Sequence, residues 1–266
     1  MAKDNAGEEV KFDAKAAAAV DRGYLTPEIV NQRIRTLDAL ALRAGERVLD
    51  VGCGSGLLAH DMALQVGLEG QVVGIDLSAD MLDLGRERCA GMDQVDLRQG
   101  KIPGLPVEDG DFDAAACTQL LLFVADVDAA LADIHRALKP GGRLAVIETD
   151  WRGAVVNSAD PELTRRMFAA WDAKAASPNL PGRLSPMLRD KGFAVTRIEA
   201  IPVLNTSRSP GAFSTGMTKH MAKTAKELEV VTAEQAAAWL DDLDRLEAEG
   251  AYFFCVNRFL FSAVKL

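Results

Sequence analysis

The stretch V-L-D-V-G-C-G-S-G, from Val48 to Gly56, decides the fold of this chain. Its start is short and apolar over Arg47–Val51, which predicts a strand buried on both faces of a parallel sheet. The run Leu57–Val66 after the stretch predicts a helix whose free amides point back towards the turn. The turn itself contains three alternating glycines, which allow the backbone to bend sharply and approach a ligand closely: Gly52, Gly54 and Gly56. Strand, turn and helix together predict the ligand-binding corner of an α/β domain.

Two acidic residues near this turn indicate which ligand it binds. Asp76 ends the next apolar run, Gln71–Ile75, where a carboxylate can accept both hydroxyls of a ribose. Asp50 lies two residues before the first glycine, and the loop reads G-x-G-x-G instead of the G-x-G-x-x-G of dinucleotide sites. A second carboxylate would repel a pyrophosphate and attract cationic sulfonium and ammonium groups. The pattern therefore predicts S-adenosylmethionine, with S-adenosylhomocysteine as its product.

Further blocks follow in order along the chain. After Asp76 comes L-S-A-D-M-L; Gly100–Asp113 reads G-K-I-P-G-L-P-V-E-D-G-D-F-D; Ala114–Gln119 looks like a fourth strand and its exit; and Leu138–Glu148 reads L-K-P-G-G-R-L-A-V-I-E. With the glycine loop, these blocks resemble the class I S-adenosylmethionine-dependent methyltransferases, especially the branch of ubiquinone and menaquinone C-methyltransferases. Several ordered blocks over about a hundred residues are far more specific than one glycine motif.

The resemblance implies an α/β, Rossmann-like fold: a mostly parallel seven-stranded sheet with helices on both faces and an added helical lid. It also implies one methyltransferase domain over residues 1–266. Within it we expect an N-terminal helical cap at 1–43, a cofactor-binding core at 44–150 and a helical lid at 205–250. The expected activity is methylation of an O, N or C atom of a small, apolar or aromatic metabolite.

The resemblance assigns cofactor contacts to eleven residues: Arg33, Asp50, Gly52, Gly54, Gly56, Asp76, Leu77, Met81, Lys101, Ile102 and Cys117. Lys101 departs from the family, which usually has an aspartate there to accept a hydrogen bond from the adenine amino group. A lysine can only donate. Either the backbone of Lys101 and Ile102 contacts the adenine, or Lys101 points to solvent and another acid substitutes for it.

The group that performs the chemistry is unknown from the sequence. Three side chains are weak catalytic candidates: Glu148 and Asp150 at the end of the fifth strand, and His220 in the lid. Related enzymes have a Glu-His pair after the fourth strand, where this chain has Leu122 and Phe123. This difference favours an apolar pocket and a reaction that depends mainly on proximity and desolvation.

The remaining periodic segments predict helices and strands outside the core. Thr26–Leu42 and Asp160–Lys174 predict helices, with Met167, Phe168 and Trp171 on one apolar face of the second. Two apolar strands that should pair in an antiparallel manner are predicted at Phe193–Val203 and Tyr252–Val264. Two helices are predicted between them, at Ser209–Leu228 and Thr232–Glu249, and a T-A-E-Q capping box opens the second.

Composition and charge limit the alternatives. A net charge of −9 disfavours nucleic acid as a partner, because such binding needs a basic face. Apolar runs too short for a membrane span and the absence of a signal-peptide core predict a cytoplasmic protein without a membrane partner. The four scattered cysteines predict no metal site. A small-molecule acceptor is the expected partner, and oligomeric state stays open. A non-catalytic cofactor-binding protein and a disfavoured NAD-dependent oxidoreductase remain as alternative functions.

Overall fold

The computed structural model describes residues 14–266, and within them the chain forms one mixed sheet with helices on both faces. The eight strands within this range are β1 Arg47–Val51, β2 Gln71–Asp76, β3 Val95–Gln99, β4 Phe112–Thr118, β5 Leu138–Thr149, β6 Val155–Val156, β7 Phe193–Asn205 and β8 Phe254–Lys265. The helices there are α1 Ala14–Tyr24, α2 Pro27–Leu40, α3 Leu57–Val66, α4 Ala79–Arg88, α5 Val127–Ala137, α6 Pro161–Asp172, α7 Pro181–Asp190, α8 Phe213–Glu227 and α9 Ala233–Ala248.

The strand order is β3-β2-β1-β4-β5-β8, and the first five of these strands run parallel. β8 runs antiparallel to β5 on one side and to β7 on the other. The two-residue strand β6 pairs with the start of β8, beyond the end of β5. The predicted Rossmann-like fold is confirmed, and β6 is a short addition to the seven expected strands.

Apolar helix faces cover both sides of the sheet, as expected for a parallel sheet. Helices α2 and α3 bury side chains such as Leu40 and Met62 against one face. Helices α5 and α7 bury side chains such as Leu131 and Leu188 against the other face. Because β1, β2, β4 and β5 run parallel, their carboxyl ends lie together at one edge of the sheet, between the two helical layers.

A third apolar cluster lies beyond that edge, where α6, α8 and α9 pack together. Met167 and Trp239 are fully buried in it, and the Trp239 indole donates a 2.9 Å hydrogen bond to the Thr164 hydroxyl. Helix α9 opens with the predicted capping box between Thr232 and Gln235. Phe168 and Trp171, which were predicted on the apolar face of α6, are half-buried.

Several boundaries differ from the predictions for local reasons. Helix α2 ends at Leu40 because Ala41 takes a left-handed conformation with φ 46°. The Thr26 hydroxyl does not cap this helix; it donates to the Gly23 carbonyl instead. Helix α8 begins at Phe213, four residues later than predicted, where the Asn205 side chain accepts a hydrogen bond from the amide of Ser214.

Helix α1 was not predicted as a separate element. Of the expected N-terminal cap at 1–43, residues 1–13 lie outside the described residues, and the rest forms α1, α2 and their connections. Over residues 14–266, every helix is too short or too polar to cross a lipid bilayer.

Candidate functional site

The glycine loop between β1 and α3 has the backbone geometry that its sequence predicts. Gly52, Gly54 and Gly56 have φ values of 74°, 52° and 71°, in the left-handed region that favours glycine. A Cβ at Gly52 would lie 2.8 Å from Cδ2 of Leu120, so the loop after β4 closely approaches this glycine. The amide of Gly52 donates a 2.8 Å hydrogen bond to the Ile75 carbonyl, which ties the loop to β2.

Asp76, the predicted ribose-binding acid, lies directly against this loop. One of its carboxylate oxygens accepts a 2.9 Å hydrogen bond from the amide of Gly54, and the other accepts one from the amide of Ser78. Burial raises the pKa of this half-buried carboxyl, and the backbone hydrogen bonds oppose that effect. Because each carboxylate oxygen has two acceptor positions, the group can still accept hydroxyl donors.

Asp50 lies deeper, at the end of β1, and is only 1% exposed. Its Oδ2 atom has no hydrogen-bond partner among the described residues. Burial and the neighbouring charge of Asp76 raise the pKa of Asp50 to about 7. A buried carboxylate oxygen without a partner needs a donor or a cation, so this position fits an ammonium group and opposes a phosphate.

The predicted adenine contacts are divided between the loop and the surface. Met81 is buried, and a methyl group at Gly54 would lie 3.2 Å from its Cε atom. Leu77 is exposed beside it. The Lys101 side chain is also exposed, in accordance with the alternative in which it points to solvent. Ile102 is half-buried and packs against the cluster beneath α5.

Two predicted cofactor contacts have other partners in this structure. Cys117 lies wholly in the apolar core on the α5 face of the sheet, where burial raises the pKa of its thiol. Arg33 donates to Asp61 Oδ2 at 3.2 Å and to the Tyr24 carbonyl at 2.8 Å, which joins α1, α2 and α3. Cys117 and Arg33 therefore both have structural contacts in this fold, and their contact with a cofactor stays a prediction.

Glu148 and Asp150 both lie near the carboxyl end of β5 but have different environments. Glu148 is fully buried, and its Oε1 accepts hydrogen bonds from the amides of Leu120 and Leu121 at 3.1 and 2.6 Å. Burial raises the pKa of Glu148 to about 8. Asp150 pairs with Arg152 through both carboxylate oxygens, and these hydrogen bonds lower the pKa of Asp150. Glu148 therefore fixes the loop after β4 by hydrogen bonds, and the carboxylate of Asp150 forms an ion pair with Arg152.

His220, the third catalytic candidate, lies on the exposed side of α8 in an aromatic group. Its ring centroid is 5.6 Å from that of Trp171, and Trp151 lies 6.1 Å from both Trp171 and Phe168. Burial and nearby lysines lower the pKa of His220, which favours the neutral imidazole. The group forms an aromatic wall between α6, α8 and the turn after β5.

The N-terminal helix contacts the glycine loop directly. The Ser55 hydroxyl donates a 2.5 Å hydrogen bond to Asp21 of α1. Arg88 of α4 forms an ion pair with the same aspartate at 2.9 Å and also donates to the Ser55 carbonyl. Helix α1 is therefore joined to the loop by a partly buried polar contact that was not predicted from the sequence.

Arg258, which is 3% exposed on β8, was not among the predicted site residues. It lies in register with Thr149 at the end of β5. A signal was present in the sequence, because the period of two along this strand puts Arg258 on the same face as the buried Val256 and Leu260. A charge on an otherwise apolar strand face indicates either an ion pair or a ligand.

A family model described as a methyltransferase domain matches residues 48–142. The chain is 39% identical over 117 residues to the demethylmenaquinone methyltransferase of Staphylococcus aureus (strain JH9), covering 44% of this chain and 48% of that protein. It is 34% identical over 227 residues to a 37.1 kDa protein in transposon TN4556 of Streptomyces fradiae, covering 84% of this chain and 64% of that protein. The chain thus spans between about half and two thirds of these relatives.

Solved structures share the fold over most of this chain. The [4+2]-cyclase SpnF superposes with a TM-score of 0.58 at 25% identity, covering 88% of this chain and 80% of that one. A Haemonchus contortus phosphoethanolamine N-methyltransferase 2, solved with S-adenosyl-L-methionine, superposes with a TM-score of 0.63 at 21% identity, covering 95% and 57%. The glycine loop, Asp50 and Asp76 all lie within residues 48–142, which the family model matches.

Proposed function

We propose that this chain is an S-adenosylmethionine-dependent methyltransferase. Residues 48–142 match a methyltransferase domain, and part of the chain is similar to demethylmenaquinone methyltransferases. The observation that carries the proposal is the pair of acids around the glycine loop. Asp50 presents an unpartnered buried oxygen, and Asp76 is fixed to the amide of Gly54. This arrangement suits a ribose joined to a cationic amino acid better than it suits a dinucleotide.

The chain's own residues account for most of the binding. Asp76 would accept hydrogen bonds from the ribose hydroxyls, and Asp50 would attract the ammonium group. The backbone of the glycine loop would lie against the ligand. The bound cofactor would supply an electrophilic methyl group on a sulfonium. Met81 and Leu77 flank the loop on the side where the adenine is expected.

We place the acceptor above the carboxyl ends of β4 and β5, against the aromatic wall of Trp151, Phe168 and Trp171. Apolar surfaces of this kind bind apolar or aromatic molecules and exclude water from the reacting atoms. Because Asp150 is paired with Arg152, alignment and desolvation would carry most of the rate.

Thermal unfolding in the presence of S-adenosylhomocysteine tests the cofactor site. A ligand that binds only the folded chain raises the midpoint by mass action. We expect a clear rise with S-adenosylhomocysteine and none with NADH. A rise with NADH alone would reverse the proposal in favour of the oxidoreductase alternative. Radiolabelled methyl transfer to a panel of small aromatic acceptors then tests catalysis.

Cofactor binding without methyl transfer is the second candidate, and the pairing of Asp150 with Arg152 favours it because a free base is missing at that position. The fold permits such a function, since one structural neighbour is described as a [4+2]-cyclase. Any methylated product in the acceptor panel would eliminate this candidate. A strong thermal shift without product from the whole panel would favour it.

A further inference from the structure

Arg258 is a buried cation without a carboxylate partner in the part of the chain that the structure describes. Its Nη1 donates to the Oε1 of Gln32 on α2, a neutral group, and its Nε has no partner. Removing a charge from water costs several kcal/mol unless an opposite charge or several hydrogen bonds compensate it. The arrangement leaves that compensation incomplete.

A second buried arginine shows what a compensated site looks like in the same chain. Arg208 donates to Asp244 at 2.7 Å and to the Thr218 hydroxyl at 2.9 Å, and it lies 5.6 Å from the ring centroid of Tyr252. Arg258 has a comparable aromatic neighbour, since its guanidinium carbon is 5.0 Å from the ring centroid of Phe213. It lacks the carboxylate that Arg208 has.

The groups around Arg258 come from three further elements. Gln32 belongs to α2, Phe213 opens α8, and Tyr24 ends α1. The charges of Arg258, Asp76 and Glu148 all act on the Tyr24 hydroxyl, whose pKa is raised mainly by burial. Tyr24 is half-buried and lies within electrostatic reach of both Asp76 and Arg258.

Glu148 does not pair with Arg258 in this structure. It acts electrostatically on Arg258, but its Oε1 accepts from the amides of Leu120 and Leu121, and its Oε2 has no hydrogen-bond partner among the described residues. In β5, Glu148 lies on the α5 face of the sheet, whereas Arg258 points towards α2 on the opposite face. The surroundings of Arg258 thus include a neutral amide, an aromatic ring and a phenol, and no carboxylate among the described residues pairs with it.

The strand order separates this position from the cofactor acids. Neighbouring strands are about 4.8 Å apart, and β8 is three strands away from β1 in the order β1-β4-β5-β8. Arg258 therefore lies about 14 Å across the sheet from Asp50. It is level with Thr149, at the end of β5, where the acceptor is expected.

We propose that Arg258, with Gln32, Tyr24 and Phe213 around it, binds an anionic group on the acceptor. The group is a carboxylate or an ionised oxygen attached to an aromatic or apolar body, because the guanidinium donates to it while Phe213 packs against that body. Phe213 covers the guanidinium in this structure, so entry requires α8 to shift. The inference rests on the proposed methyltransferase function and specifies its substrate class.

Equilibrium binding of benzoate and its neutral isostere benzamide, measured with the S-adenosylhomocysteine complex by calorimetry, tests this proposal. The wild-type complex should bind benzoate at least about tenfold more tightly than benzamide. Arg258→Gln should lower the benzoate affinity by about 30-fold and bring the ratio near one. Equal affinities in the wild type, or an unchanged ratio in Arg258→Gln, would overturn the proposal.

Gln32→Glu provides an independent variant that should fold well. It places a carboxylate where the Nη1 of Arg258 now meets an amide oxygen, so it should raise the melting temperature and abolish the preference for benzoate. Arg208→Gln is the matched control: it should lower the melting temperature and retain the preference. A Gln32→Glu variant that keeps the preference would contradict the proposal, because a purely structural Arg258 predicts a change in stability alone.

The affinity for S-adenosylhomocysteine separates this proposal from the proposed function. It should be the same, within about twofold, in the wild type and Arg258→Gln. If Arg258→Gln loses this affinity and keeps the benzoate preference, the arginine serves the cofactor and the acceptor proposal is wrong. If the wild type does not bind S-adenosylhomocysteine, the proposed function fails, and the benzoate measurement on the free protein still tests the anion site.

Discussion

The amide of Gly54 donates a 2.9 Å hydrogen bond to the Oδ2 of Asp76, so the middle of the glycine loop is attached to the acid at the end of β2. The other oxygen of Asp76 accepts from the amide of Ser78. The loop, the carboxylate and the start of α4 are therefore held in one arrangement by a single side chain. Ligand binding then requires little reorganisation here, which favours affinity.

Asp76→Asn should disrupt this arrangement. An amide side chain has one acceptor oxygen, so it cannot accept from both backbone amides and from a ribose. We expect the affinity for S-adenosylhomocysteine, measured by calorimetry, to fall by about 30-fold or more. Asp83→Asn is the control, because Asp83 is exposed on α4 and should leave the affinity unchanged. Equal losses in both variants would contradict the role of Asp76.

The pKa of Asp50, which burial raises to about 7, predicts a pH dependence of cofactor affinity. Below this pKa the carboxyl is neutral and attracts an ammonium group weakly; above it the carboxylate attracts the group strongly. Affinity for S-adenosylhomocysteine should therefore rise with pH through about 7 and then level off, by up to about tenfold per pH unit on the acidic side. Asp50→Asn should bind weakly with a flat profile. A falling wild-type profile would exclude this role.

Gly52→Ala should destabilise the fold as well as the site. Gly52 has φ 74°, and an added Cβ would lie 2.8 Å from Leu120. Left-handed strain and overpacking together predict a loss of about 2 kcal/mol or more in the free energy of unfolding. Gly153→Ala is the matched control, since no atom lies within 4 Å of its added Cβ. Urea unfolding of the two variants measures the difference, and comparable stabilities would be inconsistent with the observed loop.

Glu148→Gln should change how stability depends on pH. Burial raises the pKa of Glu148 from 4.5 to about 8, so between these values the unfolded chain has lost a proton that the folded chain retains. Glu148 therefore makes stability fall as pH rises through this interval, by at most about 1.4 kcal/mol per pH unit. Glutamine preserves the acceptor for Leu120 and Leu121 and cannot ionise.

Urea unfolding at about pH 5.5, 6.5 and 7.5 gives the slopes. The variant should lose stability less steeply than the wild type, with its largest gain at the highest pH. Glu249→Gln, at an exposed position on the surface, should reproduce the wild-type slope. A Glu148→Gln profile parallel to that of the wild type would mean that Glu148 does not hold a proton in this interval.

The core was predictable where local sequence and tertiary packing agree. Arg47–Val51 and Leu57–Val66 were predicted with the bounds that the structure has, because the glycines leave few alternatives for the backbone between them. Helix α7 was missed since Gly182 and Pro186 interrupt its helical pattern. Its burial of Leu184 and Leu188 against the sheet overrides those local preferences.

The candidate site was only partly predictable for a related reason. Asp50 and Asp76 lie at the ends of neighbouring parallel strands, so their proximity follows from the pattern. The contacts of Asp21 with Ser55 and of Arg258 with Gln32 join residues far apart in the chain. Such contacts depend on how helices α1 and α2 dock, and no local signal specifies that docking.

The strand order also places charges of opposite sign at the two sides of the carboxyl edge of the sheet. Two acids lie on β1 and β2, and an arginine without a carboxylate partner among residues 14–266 lies on β8, so the electrostatic potential rises from one side of the edge to the other. If the proposed function and acceptor class hold, a positively charged donor and a negatively charged acceptor would be attracted to opposite sides of this field. The fold would then separate two reactants by charge before any shape-specific contact forms, with their uncharged parts meeting over β4 and β5.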